Sequence, residues 1–91
     1  MDFEWDLTKA AANLNKHSVS FKEGATVFGN PLSITYPDPD HSIDEDRFIT
    51  IGESSRARLL IIAHTERGDN IRIISVREVT RRERQFYEEE S

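Results

Sequence analysis

Nine arginines fall between residues 47 and 84 of this chain, and none lies elsewhere. Arg67, Arg72 and Arg77 stand in or beside the stretch "RGDNIRIISVRE", with His64 just upstream, and Lys16 and His17 form a second basic pair. These residue types suit a reaction that needs no metal: cutting an RNA backbone at a phosphate. That chemistry requires a base for the 2′-hydroxyl, cations for the scissile phosphate and its growing charge, and an acid for the leaving oxygen. Arginine fits the second role because its planar fork can grip a phosphate with two parallel hydrogen bonds, which a lysine point charge cannot do.

Each residue also has an ordinary reading. Arg77 is expected near apolar neighbours, so pairing with Glu78 or Glu83 would explain it without any substrate, since a mostly buried arginine is rarely left unpaired. A lone histidine such as His64 is commonly a hydrogen-bonded part of the interior. Lys16 and His17 end a helix-like stretch, where cations interact favourably with the helix dipole. The acidic run with Asp38, Asp40, His41, Asp44, Glu45 and Asp46 raises the question of a metal. Its spacing fails the calcium-loop pattern, and it reads as a solvated loop. Neither a phosphate-binding glycine loop nor a nucleophile motif is present.

The elements that would position these groups follow from periodicity and caps. "FEWD" suggests a short strand. A helix begins after Asp6, whose side chain can cap the first turn, and its apolar positions are Leu7, Ala10, Ala11 and Leu14. Ser20 and Glu23 have the spacing of a capping box for a second helix that Gly29 and Pro31 stop. "LSITY", "RFITIG", "ARLLIIAHTE" and "IRIISVRE" then read as strands. The third of these four is apolar on both faces and so central, and the last two form a hairpin through "RGDN". Simple alternation along the last strand puts Arg72, Ile74 and Val76 on one face and Ile71, Ile73, Ser75 and Arg77 on the other. Thr80 and Glu83 make another capping box, opening a final helix that carries Arg81, Arg82 and Arg84. The order is β-α-α-β-β-β-β-α: one α+β domain over residues 1–91, an antiparallel sheet with helices packed against it.

The totals agree with a small globular domain. The chain has 91 residues, 36 % hydrophobic and 32 % charged, with a formal net charge of -5. Cysteine is absent, which removes disulfides and thiolate metal sites. The acidic start "MDFEWDLTK" does not resemble a secretion signal and "LLIIA" is too short to span a membrane, so a cytoplasmic location is expected. Residues 1–46 hold nine acids and three lysines, whereas residues 47–84 hold nine arginines and five acids. Clustered arginine points to nucleic acid or to an acidic protein as partner, and an alternating-sign surface is the plainer reading. Net negative charge repels RNA at long range, so affinity for it should be modest.

Three stretches carry a resemblance: "FEWDLTKAAANLNKHSVSFKEGATVF", "DPDHSIDEDRFITIG" and "RLLIIAHTERGDNIRIISVREVTRRERQFY", in that order. From Phe3 to about Tyr87 the chain resembles the BrnT family of type II toxins, RelE-like ribonucleases. The resemblance implies a small RelE-like domain that cleaves RNA and inhibits translation, with no cofactor and no metal. It implies a ribbon-helix-helix antitoxin of the BrnA type as partner, joined to the toxin in a heterotetramer that meets operator DNA only through the antitoxin. It brings Arg67, Arg77 and His64 forward as catalytic candidates, with Lys16, His17, Arg47, Arg72, Arg81 and Arg84 as RNA contacts. The chain departs from the family at Ser18, where glycine is usual after Lys-His. A copy that has lost catalysis and only binds antitoxin is the alternative, as is a structural domain whose arginines are surface pairs.

Overall fold

The computed structural model describes residues 2–90. Its elements are β1 (Asp2–Glu4), α1 (Leu7–His17), α2 (Phe21–Thr26), β2 (Ile34–Pro37), β3 (Arg47–Glu53), β4 (Leu59–Arg67), β5 (Asn70–Glu78) and α3 (Arg81–Glu90). Single 3-10 turns cover Val27–Gly29 and Pro39–His41. The order of strands and helices is the one read from the sequence. The sheet runs β1-β5-β4-β3-β2, so β4 is central as expected.

The sheet is mixed rather than wholly antiparallel, because β1 pairs parallel with β5 through Asp2↔Asn70, Phe3↔Ile71 and Glu4↔Arg72. The pairing carries Phe3 into the core, where its ring meets Phe28 at 5.3 Å. The other neighbours are antiparallel.

Two apolar layers result. Val19, Phe21, Val27, Leu60, Ile62, Ile71, Ile73 and Val76 pack under α1 and α2. Ile51, Leu59 and Ile61 form a smaller layer on the other face, with Val79 and Tyr87 packed against it. Gly24 lets α2 approach β5 closely, since a Cβ there would stand 2.6 Å from a Val76 methyl.

The caps largely follow expectation. Asp6 accepts from the Lys9 amide at 2.9 Å, and Ser20 accepts from the Glu23 amide at 2.9 Å. The Glu23 carboxylate does not return to the helix start; it accepts from Ser54 and from Arg58. Ser18 takes the left-handed conformation at φ 57 that a glycine adopts more easily, and its amide donates to the Leu14 carbonyl at 2.9 Å.

The apolar face read for α1 is only half right. Leu7 is 81 % exposed and Leu14 is 51 % exposed, while Asn13 is the buried residue of this helix. Asn13 completes the part of the β5 edge that β1 does not reach: its amide nitrogen donates to the Val76 carbonyl at 2.8 Å and its oxygen accepts from the Val76 amide at 3.1 Å. A third bond, to the Val19 carbonyl at 3.0 Å, closes the loop after the helix. An unpaired strand edge buried under a helix would be costly, and one side chain supplies both missing partners.

Candidate nucleic-acid interface

The register of the β4–β5 hairpin decides which arginines share a face. Ala63 lies opposite Ser75, but His64 lies opposite Ile73, so Ile74 is an extra residue on β5. Such a bulge reverses the alternation on one side of it. Arg72 therefore stands opposite Thr65, and Thr65 opposite Arg47, while Arg77 stands opposite Ile61 and Ile61 opposite Ile51. Residues 61, 63 and 65 of β4 point the same way, so Arg47, Arg72, Ser75 and Arg77 all belong to the face that carries α3. Simple alternation had placed Arg72 and Arg77 on opposite faces; the bulge brings them together.

One end of this face holds a basic cluster. Arg47 and Arg72 are two strand spacings apart, about 10 Å between backbones. Arg67 ends β4 next to them and pairs with Glu45 at 3.6 Å. Arg72 pairs with Glu4 at 3.5 Å. A cavity of about 240 Å³ opens between Arg47 and the acidic loop, lined also by Asp40, His41, Ile43, Asp44 and Glu45. His41 is exposed there, and its Nδ1 lies 2.9 Å from Asp38 Oδ2. A carboxylate only accepts, so Nδ1 is the donor in this contact and Nε2 is left directed away from Asp38.

The far end of the same face is organised around Arg77. Its two terminal nitrogens donate to the two Glu83 oxygens at 2.7 and 2.8 Å. The same carboxylate accepts from the Thr80 amide at 2.8 Å, and Thr80 Oγ1 accepts from the Glu83 amide at 3.2 Å, completing the capping box. The Arg77 guanidinium holds the Glu83 carboxyl down at about 2, and the partnership raises Arg77 in turn. The pairing weighed from sequence is thus present. Tyr36 lies nearby, its ring 5.6 Å from that of Phe86, and burial raises its phenol pKa.

Arg67 and Arg77 do not meet. Arg67 is paired in register with Asn70, and Arg77 lies seven residues further along β5, roughly 20 Å away at strand rise. They cannot clamp one phosphate together in this conformation.

His64 is on the opposite face. It is 4 % exposed, packed 4.9 Å edge-on from Phe28 and stacked at 6.0 Å on Phe48. Its Nε2 bonds to Thr50 Oγ1 at 2.7 Å, while Nδ1 has no partner among the described residues. Burial lowers its pKa to about 4, which keeps it neutral near pH 7. Position alone separates it from the arginines by the thickness of the sheet.

Lys16 and His17 end α1 on the helix-covered side, near Ser18, whose carbonyl accepts from Arg58 at 3.3 Å. Arg58 also pairs with Glu23, and it stands at the end of the sheet away from Arg47 and Arg67. On α3, Arg84 faces a groove with Leu59, Tyr87 and Glu88 at that same end. Arg82 is four residues before Phe86 and so shares its flank of the helix; Arg81 and Arg82 are both exposed near the helix start.

The profile of a family described as "Ribonuclease toxin, BrnT, of type II toxin-antitoxin system" matches residues 5–83. The chain belongs to the BrnT family. Its fold is similar to that of the Brucella abortus ribonuclease toxin BrnT, solved as a 1.1 Å crystal structure, with a TM-score of 0.69 and 21 % identity over 89 % of this chain and 99 % of that one. No curated protein matches the sequence significantly. BrnT membership makes ribonuclease toxin of a type II toxin-antitoxin system the functional class, and an antitoxin the partner that class implies. Among the described residues no helix is long and apolar enough to cross a membrane, and no group of three or more His, Asp or Glu side chains is placed to hold a metal ion.

Sequence reasoning set His41 aside with the rest of its loop. A signal was present, because Asp38 and His41 are three residues apart in a tight proline-flanked segment and Arg47 follows. What the sequence does not carry is the return of that loop to the end of β3.

Proposed function

We propose that this chain is a metal-independent endoribonuclease toxin whose RNA lies across the α3 face of the sheet. The observation that supports it is the β5 bulge, which gathers Arg47, Arg72 and Arg77 on one side with His41 at its end. Arg47, Arg67 and Arg72 hold the scissile phosphate and the negative charge that grows on it. His41 Nε2 takes the 2′-hydroxyl proton, with Asp38 fixing the tautomer and stabilising the imidazolium that forms. The 2′-oxygen attacks the adjacent phosphorus, the bond to the 5′-oxygen breaks, and that oxygen takes a proton from solvent. Arg77 holds a neighbouring phosphate once Glu83 gives up its fork. His64 is assigned to the core, and Lys16, His17 and Arg84 to surfaces outside this site.

Cutting cellular RNA in the cytoplasm would stop translation. The antitoxin is proposed to be a ribbon-helix-helix protein of the BrnA type, assembled with the toxin as a heterotetramer that binds operator DNA through the antitoxin.

The test is cleavage of a defined RNA in EDTA by the wild type and by folded Arg72→Ala, Arg77→Ala and His41→Gln variants. Expected is cleavage by the wild type and a loss of tenfold or more in each variant, the largest with His41→Gln. Undiminished cleavage by His41→Gln overturns the assignment of the base. No cleavage of free RNA or of ribosome-bound RNA by the wild type overturns the nuclease reading and leaves an antitoxin-binding module.

A further inference from the structure

Tyr36 stands between the two groups of arginines. It lies opposite Ile49, Ile49 opposite Ala63 and Ala63 opposite Ser75, so its side chain belongs to the α3 face. The row of residues on one side holds Arg47, Thr65 and Arg72, and the row on the other holds Ile51, Ile61 and Arg77. Tyr36 and Arg47 are diagonal neighbours on this face, roughly 7–8 Å apart at the backbone. The phenol feels burial first and then the charges of Glu83, Asp38 and Arg77, so it is within electrostatic reach of both ends of the face.

The Tyr36 ring meets the Phe86 ring of α3 at 5.6 Å and 70°. In such an edge-to-face pair each ring covers at most one face of the other. Tyr36 packs against the Ile51 layer and is still partly exposed. Phe86 is 40 % exposed, on a helix that buries none of its described residues. The carboxylates beside the pair are already engaged, Glu83 with Arg77 and Asp38 with His41. Partly exposed aromatic rings set between arginines suit single-stranded nucleic acid, in which cations hold phosphates and rings stack bases. A base is flat and uncharged, so it can lie on an aromatic ring while the phosphates on either side of it reach the arginines.

We infer that the Tyr36–Phe86 pair stacks one unpaired nucleobase of the RNA, between the phosphate held by Arg47 and Arg72 and the one held by Arg77. The inference rests on the nuclease reading and adds to it a base-binding subsite.

The probe is a short single-stranded RNA methylated at every 2′-oxygen, so that it binds but cannot be cut, made intact and with one base at a time removed. Wild type, Tyr36→Phe and Tyr36→Leu are compared on each, with circular dichroism as the check of folding and cleavage of unmodified RNA measured in parallel. Expected with the wild type is a loss of affinity of roughly fivefold or more when one particular base is missing. Tyr36→Leu should bind the intact RNA weaker by a similar factor and lose nothing further on that abasic RNA, whereas Tyr36→Phe should stay within about twofold of wild type. Wild-type affinity for every abasic RNA, which needs no variant to observe, overturns the inference while cleavage of unmodified RNA keeps the nuclease reading. Additive losses from Tyr36→Leu and base removal would make Tyr36 a structural residue, and a loss in Tyr36→Phe as large as in Tyr36→Leu would give the role to the hydroxyl; either overturns the stacking site. Neither binding nor cleavage of any RNA by the wild type would overturn the nuclease reading and the inference with it.

Discussion

Arg77 and Glu83 face each other as two matched forks, with bonds of 2.7 and 2.8 Å. A carboxylate in this position occupies the donors that a phosphate would use. Glu83 also caps α3 through the Thr80 amide, so one side chain ties the last helix both to its own start and to β5. Glu83→Gln should therefore act in two directions. RNA binding should tighten severalfold as Arg77 is released, and the melting temperature should fall. Filter binding and thermal melts check the pair of effects; RNA affinity unchanged in Glu83→Gln would mean that Arg77 does not meet RNA.

Asp38 is expected to act on rate more than on binding. Its side chain meets His41 Nδ1, and neither group is needed by the core. Asp38→Asn can leave the wrong ring nitrogen protonated, so single-turnover cleavage should slow by about ten- to a hundredfold. RNA affinity should stay within about twofold. Equal losses of affinity and rate would indicate that the loop merely folds the cavity.

His64 should shape the acid limb of stability. Its folded pKa of about 4 lies below the ordinary 6.5, so the unfolded chain takes up a proton first as pH falls. The native state is favoured in full above 6.5, and this contribution is lost between 6.5 and 4. The shift corresponds to roughly 3 kcal/mol. Glu83 acts with the same sign at lower pH, from its ordinary 4.5 down to about 2. Urea midpoints measured from about pH 8 to about pH 4 should fall less steeply for His64→Leu than for the wild type, and cleavage near neutral pH should persist in that variant.

Asn13 should be a stability position despite its polar side chain. Asn13→Ala leaves the buried Val76 amide and carbonyl without their partners. The expected cost is about 2–4 kcal/mol, or a melting temperature lower by roughly 10 °C or more. Asn13→Asp should also destabilise, since its carboxylate would face the carbonyls of Val76 and Val19. A melt unchanged in Asn13→Ala would mean that water replaces the amide.

Arg72→Ala should weaken RNA binding and reduce the slope of log affinity against log salt by about 0.7 for each phosphate that its guanidinium neutralises. Titrations at several salt concentrations measure this directly. An unchanged slope would place Arg72 with Glu4 as a structural pair only.

Local pattern was enough to read much of this molecule. The strands at residues 47–53, 59–67 and 70–78, the Asp6 and Thr80 caps and the central place of β4 follow from periodicity and side-chain chemistry acting over a few residues. The family is legible as well, because its motifs run along most of the chain. The site is less so. An extra residue at Ile74 changes no local preference, yet it moves Arg72 to the face of Arg77, since facing is set by pairing with β4 rather than by alternation alone. His41 gains Arg47 as a neighbour only when the loop folds back, and His64 loses access only when Phe28 and Phe48 close over it. The exposed Leu14 and buried Asn13 make the same point in α1: hydrophobicity favours burying the leucine, but the unpaired β5 edge beneath the helix demands hydrogen bonds that only the asparagine can make.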